Sequence, residues 1–153
     1  MPTHAEKRRL PYTPEQMFDL VADVEKYPEF LPWCVATRIK SRHGDTITAD
    51  MAVGYKMFRE RFTSVARIDR EHMRIDIEYR EGPFRYLNNH WLFERDGKGC
   101  AIDFYIDFEF RSQLLEKAIT TVFNKAVSVM VEAFEKRARA TYGSDGRKSK
   151  SPT

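Results

Sequence analysis

Ile102-Asp103-Phe104-Tyr105-Ile106-Asp107-Phe108-Glu109-Phe110 alternates without a break, with Ile102, Phe104, Ile106, Phe108 and Phe110 on one side of an extended chain and Asp103, Tyr105, Asp107 and Glu109 on the other. Side chains two residues apart share a face in a strand, so the run is a strand with one buried and one wet side. That division belongs to an antiparallel sheet covered on a single face. The same period recurs upstream. Met73, Ile75, Ile77 and Tyr79 alternate with Arg74, Asp76 and Glu78, and Ile47, Ala49, Met51 and Val53 do so one hairpin earlier. With Gly and polar residues clustered between the runs, Trp33 to Phe110 reads as a β-meander.

The period changes on either side of the meander. Downstream, Ser112 is a good N-cap and Gly143 a natural stop, so a long helix is expected from about Ser112 to about Tyr142. Its apolar residues form two neighbouring stripes, Leu115, Ile119, Val122, Ala126, Val129 and Ala133 beside Leu114, Ala118, Phe123, Val127, Met130 and Phe134. An arc this broad implies either a helix gripped deeply by a curved sheet or one that also faces a ligand, a membrane or other protein. Upstream, Thr13-Pro14-Glu15-Gln16 combines a capping Thr, a Pro at the first helical position and a Gln able to reach back to the cap. Met17, Leu20, Val21 and Val24 follow at helical spacing until Pro28 and Pro32 intervene, giving two short helices over residues 14 to 31. The fold class is α+β, with one folded domain over residues 1–143 and a polar, disordered tail over 144–153.

A chain of 153 residues suits one core rather than two. The formal net charge is +3, but the last eleven residues carry Arg147, Lys148 and Lys150 against Asp145, so three cations less one anion place +2 of it in the tail. The body is nearly neutral, which argues against DNA as a partner. Cys34 and Cys100 fit neither a disulfide scaffold nor a metal-binding spacing, and read as ordinary thiols of a reducing compartment. No secretory leader or membrane-spanning stretch is legible, so a cytoplasmic protein is expected, with peripheral contact at the inner face of a membrane still open.

Successive turns of a meander alternate between its two ends. Arg42-His43-Gly44-Asp45, Asp69-Arg70-Glu71-His72 and Asp96-Gly97-Lys98-Gly99 fall at one end and are charged and compact. Phe30-Leu31-Pro32-Trp33, Gly54-Tyr55-Lys56-Met57-Phe58 and Gly82-Pro83-Phe84 fall at the other and are rich in large apolar groups. That end is the candidate mouth: Phe30, Leu31, Trp33, Met57 and Phe84 either meet a membrane there or fold inward to cap the core. On the run from Phe58 to Ile68 the apolar face includes Glu60, a carboxylate that needs a ligand head group or a basic partner unless a bulge turns it outward.

Several of these segments together resemble a known family. Asp23-Val24-Glu25-Lys26-Tyr27-Pro28-Glu29-Phe30-Leu31-Pro32-Trp33-Cys34, Phe58 through Val65, Gly82-Pro83-Phe84 leading to Trp91 and Phe93, and Ala133-Phe134-Glu135-Lys136-Arg137-Ala138 look like the coenzyme Q-binding START-domain family, over about residues 3 to 143. The resemblance implies a helix-grip fold, a curved antiparallel sheet wrapped around the C-terminal helix with two short helices after the first strand and a lipid-sized cavity. It implies ubiquinone, or a related isoprenoid lipid, as a carried ligand rather than a cofactor, in support of respiratory electron transport. Respiratory-chain or quinone-biosynthesis proteins become candidate partners. Phe58, Glu60, Phe62, Trp91, Phe104 and Phe108 from the sheet would line the cavity, facing Val122, Phe123, Ala126 and Met130 from the helix. Bacterial relatives include a ribosome-association toxin, which makes the large ribosomal subunit the alternative partner.

The wider helix-grip class also contains cyclases and dehydratases. His43 and His72 lie in the charged turns, His4 near the terminus, and His90 alternates away from Leu87, Trp91 and Phe93. There is no His and carboxylate spacing for a metal, no nucleophile elbow and no phosphate-cradling Gly loop, so binding without catalysis is expected.

Overall fold

The computed structural model describes residues 3–55 and 58–143, without the side chains at 55, 58, 121 and 122. The elements are β1 (Thr3–Leu10), α1 (Pro14–Ala22), a 3-10 helix (Val24–Glu29), β2 (Cys34–His43), β3 (Thr46–Tyr55), β4 (Phe58–Asp69), β5 (Arg74–Glu81), β6 (Phe84–Asp96), β7 (Gly99–Phe110) and α2 (Gln113–Tyr142). The expected tail, 144–153, lies outside the described residues. The strands form one seven-stranded sheet in the order β1-β7-β6-β5-β4-β3-β2. Every pairing is antiparallel, and the first strand lies beside the last. The expected meander is therefore extended by one strand, and α1 and the 3-10 helix carry the chain from one sheet edge to the other.

Local chemistry sets the helix ends. The Thr13 hydroxyl accepts from the Gln16 backbone N–H at 3.1 Å, and the Gln16 side chain accepts from the Thr13 N–H at 2.9 Å, closing a capping box. Ser112 accepts from the Leu115 N–H at 3.3 Å, and Gly143 ends α2 with φ 86°, a left-handed value that a residue without Cβ adopts readily. At that end Tyr12 donates to the Gly143 carbonyl at 2.9 Å and Tyr142 to the Gln16 carbonyl at 3.2 Å, fastening α2 to the start of α1.

α2 buries one stripe, Ile119, Phe123, Val127, Met130, Phe134 and Ala138, against the concave face. That row takes Phe123, Val127, Met130 and Phe134 from the second expected stripe and Ile119 from the first, and the second stripe's opening residues fall outside it: Leu114 is 79 % exposed and Ala118 is exposed. At about 100° per residue, Leu114 stands about 140° around the axis from Ile119, beyond the reach of a single covered face.

The turn ends sort as the parity of the meander requires. The charged end is held to α1 by Arg70–Asp19 at 2.8 Å and Arg95–Glu15 at 3.0 Å, and to the 3-10 helix by Arg42–Glu25. At the same end β1 passes so close to β7 that a Cβ on Gly99 would lie 2.1 Å from the Leu10 carbonyl oxygen. Backbone rather than a flexible side chain blocks the space, so Gly99→Ala is expected to destabilise the fold by about 2–3 kcal/mol. Gly44→Ala, where nothing lies within 4 Å and only the positive φ of 59° is strained, should cost about 1–2 kcal/mol. Urea denaturation of the two variants checks the order.

Candidate functional site

The space between the concave face and α2 is not filled. Phe62 on β4, Leu87 on β6, Phe104 and Ile106 on β7, Met130 on α2 and Trp33 before β2 surround the junction of two chambers. The larger chamber, about 150 Å³, opens toward the mouth between Phe84, Phe108, Phe123 and Ala126. The smaller, about 110 Å³, reaches back past Leu31, Met51 and Trp91 to Phe134. An apolar cavity of roughly the larger chamber's size stays dry and accepts a benzene-sized ring.

Strand geometry explains the lining. The register between β6 and β7 shifts at Arg85, so Phe84 pairs with Phe110 while Tyr86 pairs with Glu109. This bulge turns both Phe84 and Leu87 inward. Phe84 stacks on Phe110 at 4.7 Å and meets Phe62, Tyr79 and Phe108 edge-on at 5.3–5.4 Å, while its backbone N–H donates to the Tyr79 hydroxyl at 3.1 Å. These edge-to-face contacts prop the wall open against collapse.

The structure brings Phe62, Phe104, Phe108, Phe123, Ala126 and Met130 together on the chamber walls, with Trp91 behind Phe104 at 4.6 Å. The Phe58 and Val122 side chains and Met57 lie outside the described residues. Glu60 lines neither chamber. Pairing of β3 with β4 is unbroken past Gly54, so no bulge turns Glu60 over; it sits half-buried near the first rungs of β4, opposite Val53 and ahead of the stretch that pairs with β5. The mouth residues need correction. Leu31 and Phe84 are only 3 % and 6 % exposed and turn inward as core, so neither presents a surface to a bilayer. Phe30 is half-buried against Phe134 at 5.1 Å, under the guanidinium of Arg137. Trp33 is half-buried and walls both chambers.

Two polar side chains line the smaller chamber, Ser64, which alternation along β4 places on the inward face, and Asn89, which the sequence expectation missed. Asn89 donates to the Tyr105 carbonyl at 2.8 Å. Its position two residues from both Leu87 and Trp91 was the available signal. The Trp33 indole N–H is buried and has no acceptor among the described residues. Among the described residues no carboxylate, histidine or basic side chain lines either chamber.

His4 also differs from expectation. Far from being peripheral, it packs 6.2 Å from Phe104 and 6.4 Å from Phe123, and shares a 3.0 Å hydrogen bond with Glu6. Arg8 then bridges Glu6 and Glu135, each at 2.9 Å, tying β1 to α2 behind the chambers. Burial pushes the Glu6 carboxyl up, but hydrogen bonds from His4 and Arg8 outweigh it and hold the group below its ordinary value. No sequence spacing signals this chain, because β1 and α2 meet only in the fold. The other histidines lie as expected: His72 pairs with Asp69 in a charged turn, and His90 stacks on Tyr105 outside the cavity. No cluster of three or more metal-ligating side chains occurs among the described residues, and no helix is long and apolar enough to cross a membrane.

Residues 10–135 match the family described as polyketide cyclase / dehydrase and lipid transport. The chain belongs to that family and has its START-like helix-grip fold. It is 38 % identical over 133 residues to the ribosome association toxin RatA of Rickettsia prowazekii, covering 85 % of this chain and 91 % of that one. It is 33 % identical over 144 residues to the coenzyme Q-binding protein COQ10 homolog B, mitochondrial, of Xenopus laevis, covering 92 % of this chain and 59 % of that one. Among solved structures, the 18 kDa protein CC1736 from Caulobacter crescentus superimposes with a TM-score of 0.78 at 36 % identity, over 94 % of this chain and 99 % of that one.

Two measurements test the site's packing. Ala126→Leu adds bulk to the larger chamber without disturbing the sheet; melting should stay within a few degrees of the parent while uptake of small aromatic probes falls at least severalfold. Burial pushes both Cys34 and Cys100 thiols up to about 11, leaving little thiolate at pH 8. A disulfide reagent should therefore react with the folded protein orders of magnitude more slowly than with the protein in denaturant.

Proposed function

We propose that the protein binds a neutral, ring-bearing isoprenoid lipid, ubiquinone being the candidate, and supports its delivery to or use in respiratory electron transport. The two joined apolar chambers, with Trp33, Phe62 and Phe104 on the walls of both, carry this reading. The Trp33 indole N–H is buried without a partner among the described residues, and a turn of the ring toward a ligand acceptor would satisfy it. A quinone carbonyl is such an acceptor, and its ring matches the larger chamber of about 150 Å³. The lining also selects against charge: with no cation among the described chamber residues, a fatty-acid carboxylate or a phosphate would enter unpaired. A long isoprenoid tail exceeds the enclosed space and must leave through the mouth.

Carriage rather than chemistry is supported by the lack of a described acid, base or histidine on the chamber walls, although the family's description includes cyclases and dehydrases. The names of several relatives favour a second reading, association with the ribosome. It is tested by sedimenting the protein with purified subunits.

Trp33→Phe removes the donor and keeps the apolar wall. A short-chain ubiquinone analogue, titrated by quenching of the remaining Trp91, should bind about 5- to 30-fold more weakly to the variant, the affinity equivalent of about 1–2 kcal/mol. A hydrocarbon of similar size should bind both forms alike. Equal quinone affinity in the two proteins would remove the support that Trp33 gives, and native mass spectrometry of protein purified from its own host would then identify whatever lipid it holds.

A further inference from the structure

The arginines of this protein divide by position. At the charged end and along the strands leading to it, Arg42, Arg67, Arg70, Arg74 and Arg95 are each paired with a carboxylate. Toward the mouth, Arg59, Arg61, Arg80, Arg85 and Arg111 are exposed, as is Arg38 at the middle of β2, and none forms an ion pair or a side-chain hydrogen bond with another described residue. Their places follow from the register. Arg59 and Arg61 occupy the first rungs of β4, opposite Gly54 and Ala52 on β3, and Arg38 lies two strands from them on β2, opposite Asp50. Arg80 stands at the end of β5, Arg85 at the bulge that opens β6, and Arg111 just after β7, where its backbone N–H donates to the Pro83 carbonyl at 2.9 Å. With strands about 4.8 Å apart, they spread over roughly 25 Å of rim. Glu60, Glu81, Glu109 and Glu116 share this end, with Asp107 and Asp50 further along their strands, and no ion pair joins any of these carboxylates to the six arginines, which stay free to meet anions from outside.

Apolar groups flank the same rim. Val35 and Leu114 are the large apolar side chains that the described surface exposes most, at 57 % and 79 %. Leu114 follows Arg111 in the first turn of α2, and Val35 sits beside Gly54, where an added Cβ would touch it at 3.4 Å.

We propose that this arginine rim, with Val35 and Leu114, docks the mouth of the cavity on an anionic lipid bilayer. The combination decides the occupant. Arginines at a bilayer surface attract anionic head groups while neighbouring apolar side chains dip into the acyl boundary. A phosphate-binding surface for RNA would use the arginines and leave an exposed leucine and valine without a role. The inference rests on the cavity being a lipid site for its purpose, but the docking itself is measured without any quinone.

The experiment is sedimentation of the full chain with vesicles of phosphatidylcholine, with and without phosphatidylglycerol. The parent should bind the anionic vesicles and release them at high salt. Arg59→Gln, Arg61→Gln, Arg80→Gln and Arg85→Gln combined should lower the partition coefficient by at least about a hundredfold, at roughly fivefold per arginine. A control with the same loss of charge at the other end, Arg70→Gln with Arg95→Gln, should bind nearly as the parent does, once circular dichroism has confirmed both folds. Leu114→Ser should weaken binding and leave its salt dependence in place. Equal binding to neutral and anionic vesicles, or undiminished binding of the fourfold variant, overturns the proposal. So does loss of ribosomal-subunit binding in that variant from a parent that ignores vesicles. Failure of the cavity reading appears separately, in the Trp33→Phe titration.

Discussion

One helix has to cover the concave side of seven strands. Its buried stripe is a single row of side chains, and the curvature of the sheet holds the flanking strands away from it. Aromatic residues of β6 and β7 span part of the gap, Phe108 meeting Phe123 at 5.1 Å and Trp91 meeting Phe134 at 5.3 Å, while Phe84 and Phe110 stack on each other and leave the remainder open. Ala126 and Val53, modest in size, stand on the wall of the larger chamber and leave its space of about 150 Å³ open.

Much of this architecture was legible in the sequence because it depends on local rules. The alternation in Ile102–Phe110, the capping box at Thr13 and the Ser112 and Gly143 boundaries of α2 each express backbone chemistry within a few residues, and each recurs in the fold. Turn parity also assigned the two ends correctly, since a meander has no freedom to exchange them. The failures are tertiary. Parity could place Leu31 and Phe84 at the mouth but could not say whether they turn in or out; the bulge at Arg85 and the packing of the 3-10 helix decide that. The two apolar stripes of α2 could not be ranked without knowing how much of the helix one curved face reaches. His4 looked peripheral because β1 has no sequence neighbour that reveals its pairing with β7.

The relatives named for ribosome association and the relative named for coenzyme Q binding share one fold with this chain, and their names point to different parts of it. A ribosome is met by the outer surface and a quinone by the chambers. The two readings therefore draw on separate side chains, those of the chamber walls inside and those of the surface outside. The charged end enters neither, since its arginines are already engaged with α1 and the 3-10 helix, where they fix the turns to the body of the fold.

The tyrosine fastening between the start of α1 and the end of α2 has a practical corollary for anyone who attaches something to this protein. Thr3 pairs with Asp107 near the mouth, whereas Gly143 is tied to Tyr12 at the other pole, roughly the 45 Å length of α2 from its first turn. The described ends thus leave the molecule at opposite poles. A reporter or immobilising tether joined beyond Gly143 points away from the opening, while one joined ahead of Thr3 stands beside it and competes for the same space as any partner that approaches there.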